Sequence, residues 1–145
     1  MIELPPVYEN LSAVDNLKVR TWTLGISDAR ILEVLDIVDL KNTGKKQVGK
    51  FSMGMKQRLG IAVALLNDPD FLILDEPANG LDPFGIRQLR EMLVSFAESG
   101  MTVLVSSHIL GEIQQTADYI GILANGVLDI RVDSRKIWKN CSRKL

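Results

Sequence analysis

A chain of 145 residues, 46% hydrophobic and 24% charged, has room for one domain and the composition of a folded one. Its net charge of −1 argues against broad nucleic-acid binding, which needs a clustered basic surface. No apolar run approaches the ~20 residues that cross a bilayer, and MIELPPVYEN has no basic stretch ahead of an apolar one, so no signal peptide is expected. Cys141, the only cysteine, has no internal partner and fits a reducing, cytosolic setting.

Pro5-Pro6 fixes an extended entry. A helix is expected from Ser12 to about Trp22, with Ser12 as N-cap and Asp15 at the fourth place of a capping-box-like start. Ser27 and Asp28 cap the next helix, whose apolar face is Ile31, Leu32, Val34, Leu35 and Val38. Lys41 to Lys46 reads as a polar loop. Ser52 opens a helix running to Asn67, and Asp68-Pro69 breaks it. Phe71-Leu72-Ile73-Leu74 is a continuous apolar run, as in a strand covered on both faces. After the Asn79-Gly80 turn, Asp82 and Pro83 start a helix carrying Ile86, Leu89, Leu93 and Phe96, closed by Gly100. Thr102 to Val105 is expected as a second buried strand, followed by a helix from about Ile109 to Thr116 and a strand from Tyr119 to Leu123. Asn125-Gly126 turns into Val127–Val132 as a hairpin partner. The first half is helical only. The alternation in the second half implies an α/β fold with a mainly parallel sheet.

The chemistry gathers at the strand ends and at one helix start. In open α/β sheets the working residues lie beyond the carboxyl ends of strands. Asp75 and Glu76 end the FLIL strand, and along a strand they point to opposite sides. One can hold Mg²⁺ through its water while the other activates a hydrolytic water; a solvated acid pair is the plain alternative. The start Ser52-Met53-Gly54 offers unpaired N–H groups, a partial positive charge and a hydroxyl, which suit a phosphate, although three residues alone read more simply as a plain serine N-cap. His108, the sole histidine, follows the second strand and is expected on the same rim as Asp75 and Glu76. Gly44 to Lys50 matches GxxxxGK, but Phe51 stands where a P-loop needs Ser or Thr, and no apolar strand precedes it. It reads as a solvated linker. The basic residues Arg131, Arg135, Lys136, Lys139, Arg143 and Lys144 read as a solvated terminus, with contact to anionic lipid as the alternative.

Together these segments resemble the nucleotide-binding subunit of ABC transporters, over nearly the whole chain up to about Val132. Phe51-Ser52-Met53-Gly54-Met55, continuing Lys56-Gln57-Arg58-Leu59, is similar to the family signature, usually LSGGQ. Phe71 to Glu76 resembles the Walker B strand, Asn79-Gly80-Leu81-Asp82 the D-loop, and His108 the switch histidine. The resemblance implies a partial P-loop NTPase (ABC ATPase) core plus a helical signature subdomain. The expected boundaries are 1–67 for the helical subdomain, 68–132 for the C-terminal half of the core and 133–145 for a basic tail. It implies ATP and Mg²⁺ as cofactors, Glu76 and His108 as catalytic residues, Asp75 on the metal side, and Ser52, Gly54, Met55 and Asp82 on the nucleotide. It also implies a transmembrane permease subunit and a second, face-to-face ATP-binding subunit as partners, no nucleic acid, and a cytoplasmic, membrane-peripheral location.

Met53 and Met55 replace a glycine and a glutamine of the signature. With Ile2-Glu3 ahead of Pro5-Pro6, the pattern resembles the bacitracin- and lantibiotic-export branch, in which Glu3 takes the place of the Q-loop glutamine. No counterpart of Walker A is found, so the chain is expected to be truncated, weak in ATP affinity and inactive alone. The leading expectation is an ATP-binding, ATP-hydrolysing component of an exporter. The alternatives are a non-catalytic docking or signature-donating module, and a non-transport ATPase of the same superfamily.

Overall fold

The computed structural model describes residues 7–22 and 25–133. Glu3, Pro5, Pro6, Cys141 and the basic residues from Arg135 onward lie outside the described residues. Contacts divide the chain into two units, Met1–Ser106 and Ser107–Leu145.

The first unit opens with three helices, α1 (Ala13–Thr21), α2 (Asp28–Ile37) and α3 (Met53–Leu65), that pack on one another. Each starts at a serine whose hydroxyl accepts the N–H three residues on: Ser12 from Asp15, Ser27 from Arg30, Ser52 from Met55. Such a bond satisfies one of the amides that the first turn leaves without a partner. Ser12 also donates to the Asp15 carboxylate at 2.6 Å. Leu17, Ile31, Val34, Leu35, Leu59 and Ile61 are fully buried between the helices. Leu32, expected on the apolar face of α2, is 49% exposed instead. At helical spacing it sits one step round from Ile31 and Leu35 and misses the stripe.

The helix ends are tied with equal care. Asp39 follows α2 in the left-handed region (φ 56°), so Leu40 N–H reaches Leu35 C=O at 2.7 Å and Asp39 N–H reaches Asp36 C=O at 3.0 Å. That pair of bonds is a Schellman closure. Arg30 closes α3 from outside, donating to Leu65 C=O at 2.8 Å and to Asp68 at 3.2 Å. A cation at a helix carboxyl end meets the negative pole of its dipole.

The expected polar loop begins as a 3-10 turn, Lys41–Thr43, and a second one, Val48–Lys50, follows. This segment runs along residues 9–12 through a Ser12–Gln47 bridge, with Val48 N–H bonded to Leu11 C=O and Gly49 N–H to Glu9 C=O. Buried Asn16 locks the entry: its side chain accepts from Tyr8 N–H at 2.7 Å and donates to the Tyr8 and Ser12 carbonyls at 2.9 Å each. Asn16→Leu leaves those backbone groups unsatisfied, so chemical denaturation is expected to show a loss of about 1–3 kcal/mol.

β1 (Phe71–Asp75) and β2 (Thr102–Ser106) pair in parallel, with α4 (Pro83–Glu98) as the crossover between them. α4 starts at N-cap Asp82 with Pro83 behind it, buries Leu89, Leu93 and Phe96, and ends before Gly100 at φ 98°. The expectation that both strands are covered on both faces is not met. Leu72, Leu74, Val103 and Val105 join the core, whereas Phe71, Ile73 and Leu104 are 50%, 63% and 54% exposed. Alternate side chains leave a strand on opposite faces, and among the described residues only one face of this pair has a layer against it.

In the second unit the expected helix from Ile109 to Thr116 is a single turn, α5 (Leu110–Ile113), after which Thr116 and Ala117 N–H groups close on Ile113 C=O. β3 (Tyr119–Ala124) and β4 (Val127–Asp133) form the antiparallel hairpin that Asn125-Gly126 announces. Both turn residues have positive φ, 51° and 77°, as a type I′ turn requires.

Candidate functional site

Ser52 is exposed at the start of α3, and its hydroxyl accepts from Met55 N–H at 3.3 Å. The hydroxyl proton is thereby left to donate outward. The next amides, those of Met53 and Gly54, have no preceding turn to bond to and point out along the helix axis. An anion approaching there meets a hydroxyl, backbone N–H groups and the positive pole of a 13-residue helix. Gly54 and Met55 are both half-buried.

This helix start rests on the turn that follows β1. A Cβ added to Gly54 would lie 3.8 Å from Leu81 Cδ2, and one added to Gly80 would lie 3.7 Å from Met53 Cγ. The turn is closed by Asn79 N–H to Glu76 C=O at 3.0 Å and Leu81 N–H to Ala78 C=O at 3.2 Å. Gly80 takes φ 75°, a conformation that glycine adopts without a Cβ penalty. Asp82 spends its carboxylate on α4, accepting Gly85 N–H at 2.7 Å.

Asp75 is the last residue of β1, and its Oδ1 accepts the Ser106 hydroxyl proton at 2.5 Å. Glu76 is off the strand: φ is 47°, and its N–H bonds to Ser106 Oγ at 2.9 Å and Ser106 C=O at 3.2 Å. The two acids are therefore separated by a left-handed turn, not by the strand alternation expected from sequence. Mg²⁺ favours hard oxygen donors and is usually held by one or two carboxylates completed by waters and phosphate oxygens. The Asp75 carboxylate at an exposed strand end fits that role. No group of three or more His, Cys, Asp or Glu among the described residues could hold a metal, so an ion here would depend on phosphate and water ligands.

His108 is exposed two residues beyond β2 and falls in the second unit, whereas Asp75, Glu76, Ser52, Gly54, Met55 and Asp82 share the first. Ser107 Oγ accepts Ile109 N–H at 3.1 Å just ahead of α5. The Gly44–Lys50 stretch makes no phosphate cradle. The N–H groups of Lys46, Val48, Gly49, Lys50 and Phe51 are all given to protein carbonyls, whereas a P-loop needs its amides free to converge on an anion.

Sequence reading missed two residues. Ser106 falls one residue past the expected strand of Thr102 to Val105 and was given no role, although a hydroxyl at the end of the strand beside an acid-ended one is a usable signal. Arg58, its side chain 15% exposed, bonds to Asp39 at 3.0 Å and to Gln88, fastening α3 to the α2 terminus and to α4. Nothing local in the sequence marks those partners.

The α/β fold is that of ABC ATP-binding domains: the structure superposes on cbiO1 from Clostridium perfringens, described as part of the ABC transporter complex cbiONQ, with a TM-score of 0.83 at 23% identity, covering 96% of this chain and 58% of that one. The chain belongs to the ABC transporter family, whose model matches residues 3–79. It is 56% identical over 126 residues to the lantibiotic transport ATP-binding protein SrtF of Streptococcus pyogenes, covering 87% of this chain and 55% of that protein. It is 52% identical over 130 residues to the bacitracin transport ATP-binding protein BcrA of Bacillus licheniformis, covering 88% and 42%. The chain thus spans about half the length of the curated relatives it matches.

Proposed function

We propose that this chain carries the signature helix and the acid-ended strand of an ATP-hydrolysing subunit that powers export through a membrane permease. The observation that carries the reading is the α3 start docked, through Met53 and Gly54, on the same 79–82 turn that leaves the Asp75–Glu76 pair. Bound ATP and Mg²⁺ would supply the phosphoryl bond to be hydrolysed and the charge that polarises it. Ser52 and the amides of Met53 and Gly54 bind the terminal phosphate held by a second, face-to-face subunit, with Met55 behind them in the first turn. Asp75 would hold the cation through a water, and Glu76 would take the proton from the attacking water. His108 takes the switch-histidine role that the family resemblance implies, Asp82 lies at the edge of the nucleotide site, and Glu3 stands in for the Q-loop glutamine.

The names of two relatives support a lantibiotic- or bacitracin-like compound as the cargo class. No helix among the described residues is long and apolar enough to cross a membrane, so this reading assigns the spanning segments to the permease partner. It also assigns the subunit to the cytoplasmic face of the membrane, with residues 1–67 as the helical subdomain, 68–132 as the core half and 133–145 as a basic tail.

A usable P-loop has to come from residues outside these 145. The 145-residue chain by itself is therefore expected to release no phosphate from ATP above background. Supplying a P-loop-bearing family segment, joined to it or as a separate chain, is expected to bring up hydrolysis that depends on Glu76. Turnover by the chain alone that Glu76→Gln abolishes would overturn this assignment.

A further inference from the structure

Ser106 is the last residue of β2 and the register partner of Asp75. Its hydroxyl donates to Asp75 Oδ1 at 2.5 Å and accepts Glu76 N–H at 2.9 Å, and its carbonyl accepts the same N–H at 3.2 Å. A hydroxyl has one proton to give. With the Glu76 N–H occupying one side of Oγ, that proton is directed to Asp75, so the two bonds polarise each other. One residue thereby grips the side chain of the first acid and the backbone of the second. The grip falls where it is needed: Glu76 has φ 47°, a left-handed conformation that a side-chain-bearing residue keeps only when its surroundings over-determine it.

We propose that Ser106 is the positioning residue of the acid pair. By occupying Oδ1 it leaves Oδ2 of Asp75 to meet the hydrated cation, and by holding the Glu76 amide it sets the turn that aims the Glu76 carboxylate at the attacking water. The proposal rests on the functional reading above. It also states something separable about this chain, that a serine hydroxyl holds the geometry of both acids.

The test uses Ser106→Ala, Ser106→Cys and Ser106→Thr. Alanine has no hydroxyl, cysteine is a near-isostere with a weak donor, and threonine keeps the hydroxyl and suits a strand. In the chain itself, amide hydrogen exchange of Glu76 is expected to accelerate in the alanine and cysteine variants and to stay protected with threonine. In the assembled ATPase carrying this chain, loss of such an orienting partner is expected to lower kcat about 10- to 100-fold and to raise the Mg²⁺ concentration at half-maximal rate, with threonine close to wild type. The KM for ATP is expected to stay within about twofold, because uniform ground-state binding is untouched. A purely structural serine would shift the melting temperature without that kcat-against-KM split or the threonine rescue. Unchanged Glu76 exchange in Ser106→Ala overturns the proposal. Hydrolysis that is abolished by Glu76→Gln but indifferent to Ser106→Ala overturns it and leaves the functional reading standing. Hydrolysis indifferent to Glu76→Gln overturns the functional reading and the proposal with it.

Discussion

Leu59→Ala is expected to lower the stability of the first unit by about 3–5 kcal/mol. Leu59 is fully buried on α3, in a core to which α1 contributes Leu17 and α2 contributes Ile31, Val34 and Leu35. Removing three buried carbons forfeits their transfer free energy and opens a cavity that tightly packed neighbours fill only in part. A loss of that size is a large share of the roughly 5–15 kcal/mol that holds a domain folded. The same truncation at half-exposed Leu32 is expected to cost under about 1 kcal/mol, since little buried surface is lost. Hydrogen exchange of α3 amides reads the first unit alone. Equal effects at Leu59 and Leu32 would mean that the helical core is not packed as described.

What the sequence made legible was local. Ser12, Ser27, Ser52 and Asp82 announce helix starts because each cap needs only a side-chain oxygen and the amide three residues on. Gly100 announces the end of α4 for a similarly short-range reason, its left-handed φ. Asp39 ends α2 by the same closure, but aspartate is a poor signal for that conformation, so the sequence gives no comparable warning. The apolar run Phe71–Leu74 identified a strand without revealing its exposure, because coverage depends on which layers are present around it and not on the run itself. α5 came out at four residues because Gln114, Gln115 and Thr116 prolong no apolar stripe, and the Ile113 carbonyl closes on Thr116 and Ala117. At the site, the acid pair and the signature-like helix start were readable as motifs. Their connection was not: Leu81 against Gly54, Met53 against Gly80, and Ser106 between Asp75 and Glu76 join residues about 30 positions apart.

In an assembly that hydrolyses ATP, Glu76→Gln is expected to reduce kcat by a factor on the order of 10²–10⁴, the range attached to a positioned general base. Glutamine keeps the shape and can still accept a hydrogen bond, but it cannot take a proton from water. The main-chain N–H to Ser106 does not involve the side chain, so the turn survives, and the KM for ATP is expected to change little. Asp75→Asn is expected to behave differently, raising the Mg²⁺ requirement, because its proposed task is electrostatic and directed at the cation. Stability supplies the control. Glu76 is a half-buried, left-handed residue, so Glu76→Gly relieves the Cβ strain while adding freedom to the unfolded chain. The two effects oppose each other, and the net change is expected within about 1 kcal/mol. A variant that folds as well as the parent yet fails to hydrolyse ATP is what strain kept for function predicts. If Glu76→Gln retains kcat within about threefold, a loss far below the general-base range, the proton goes to another group.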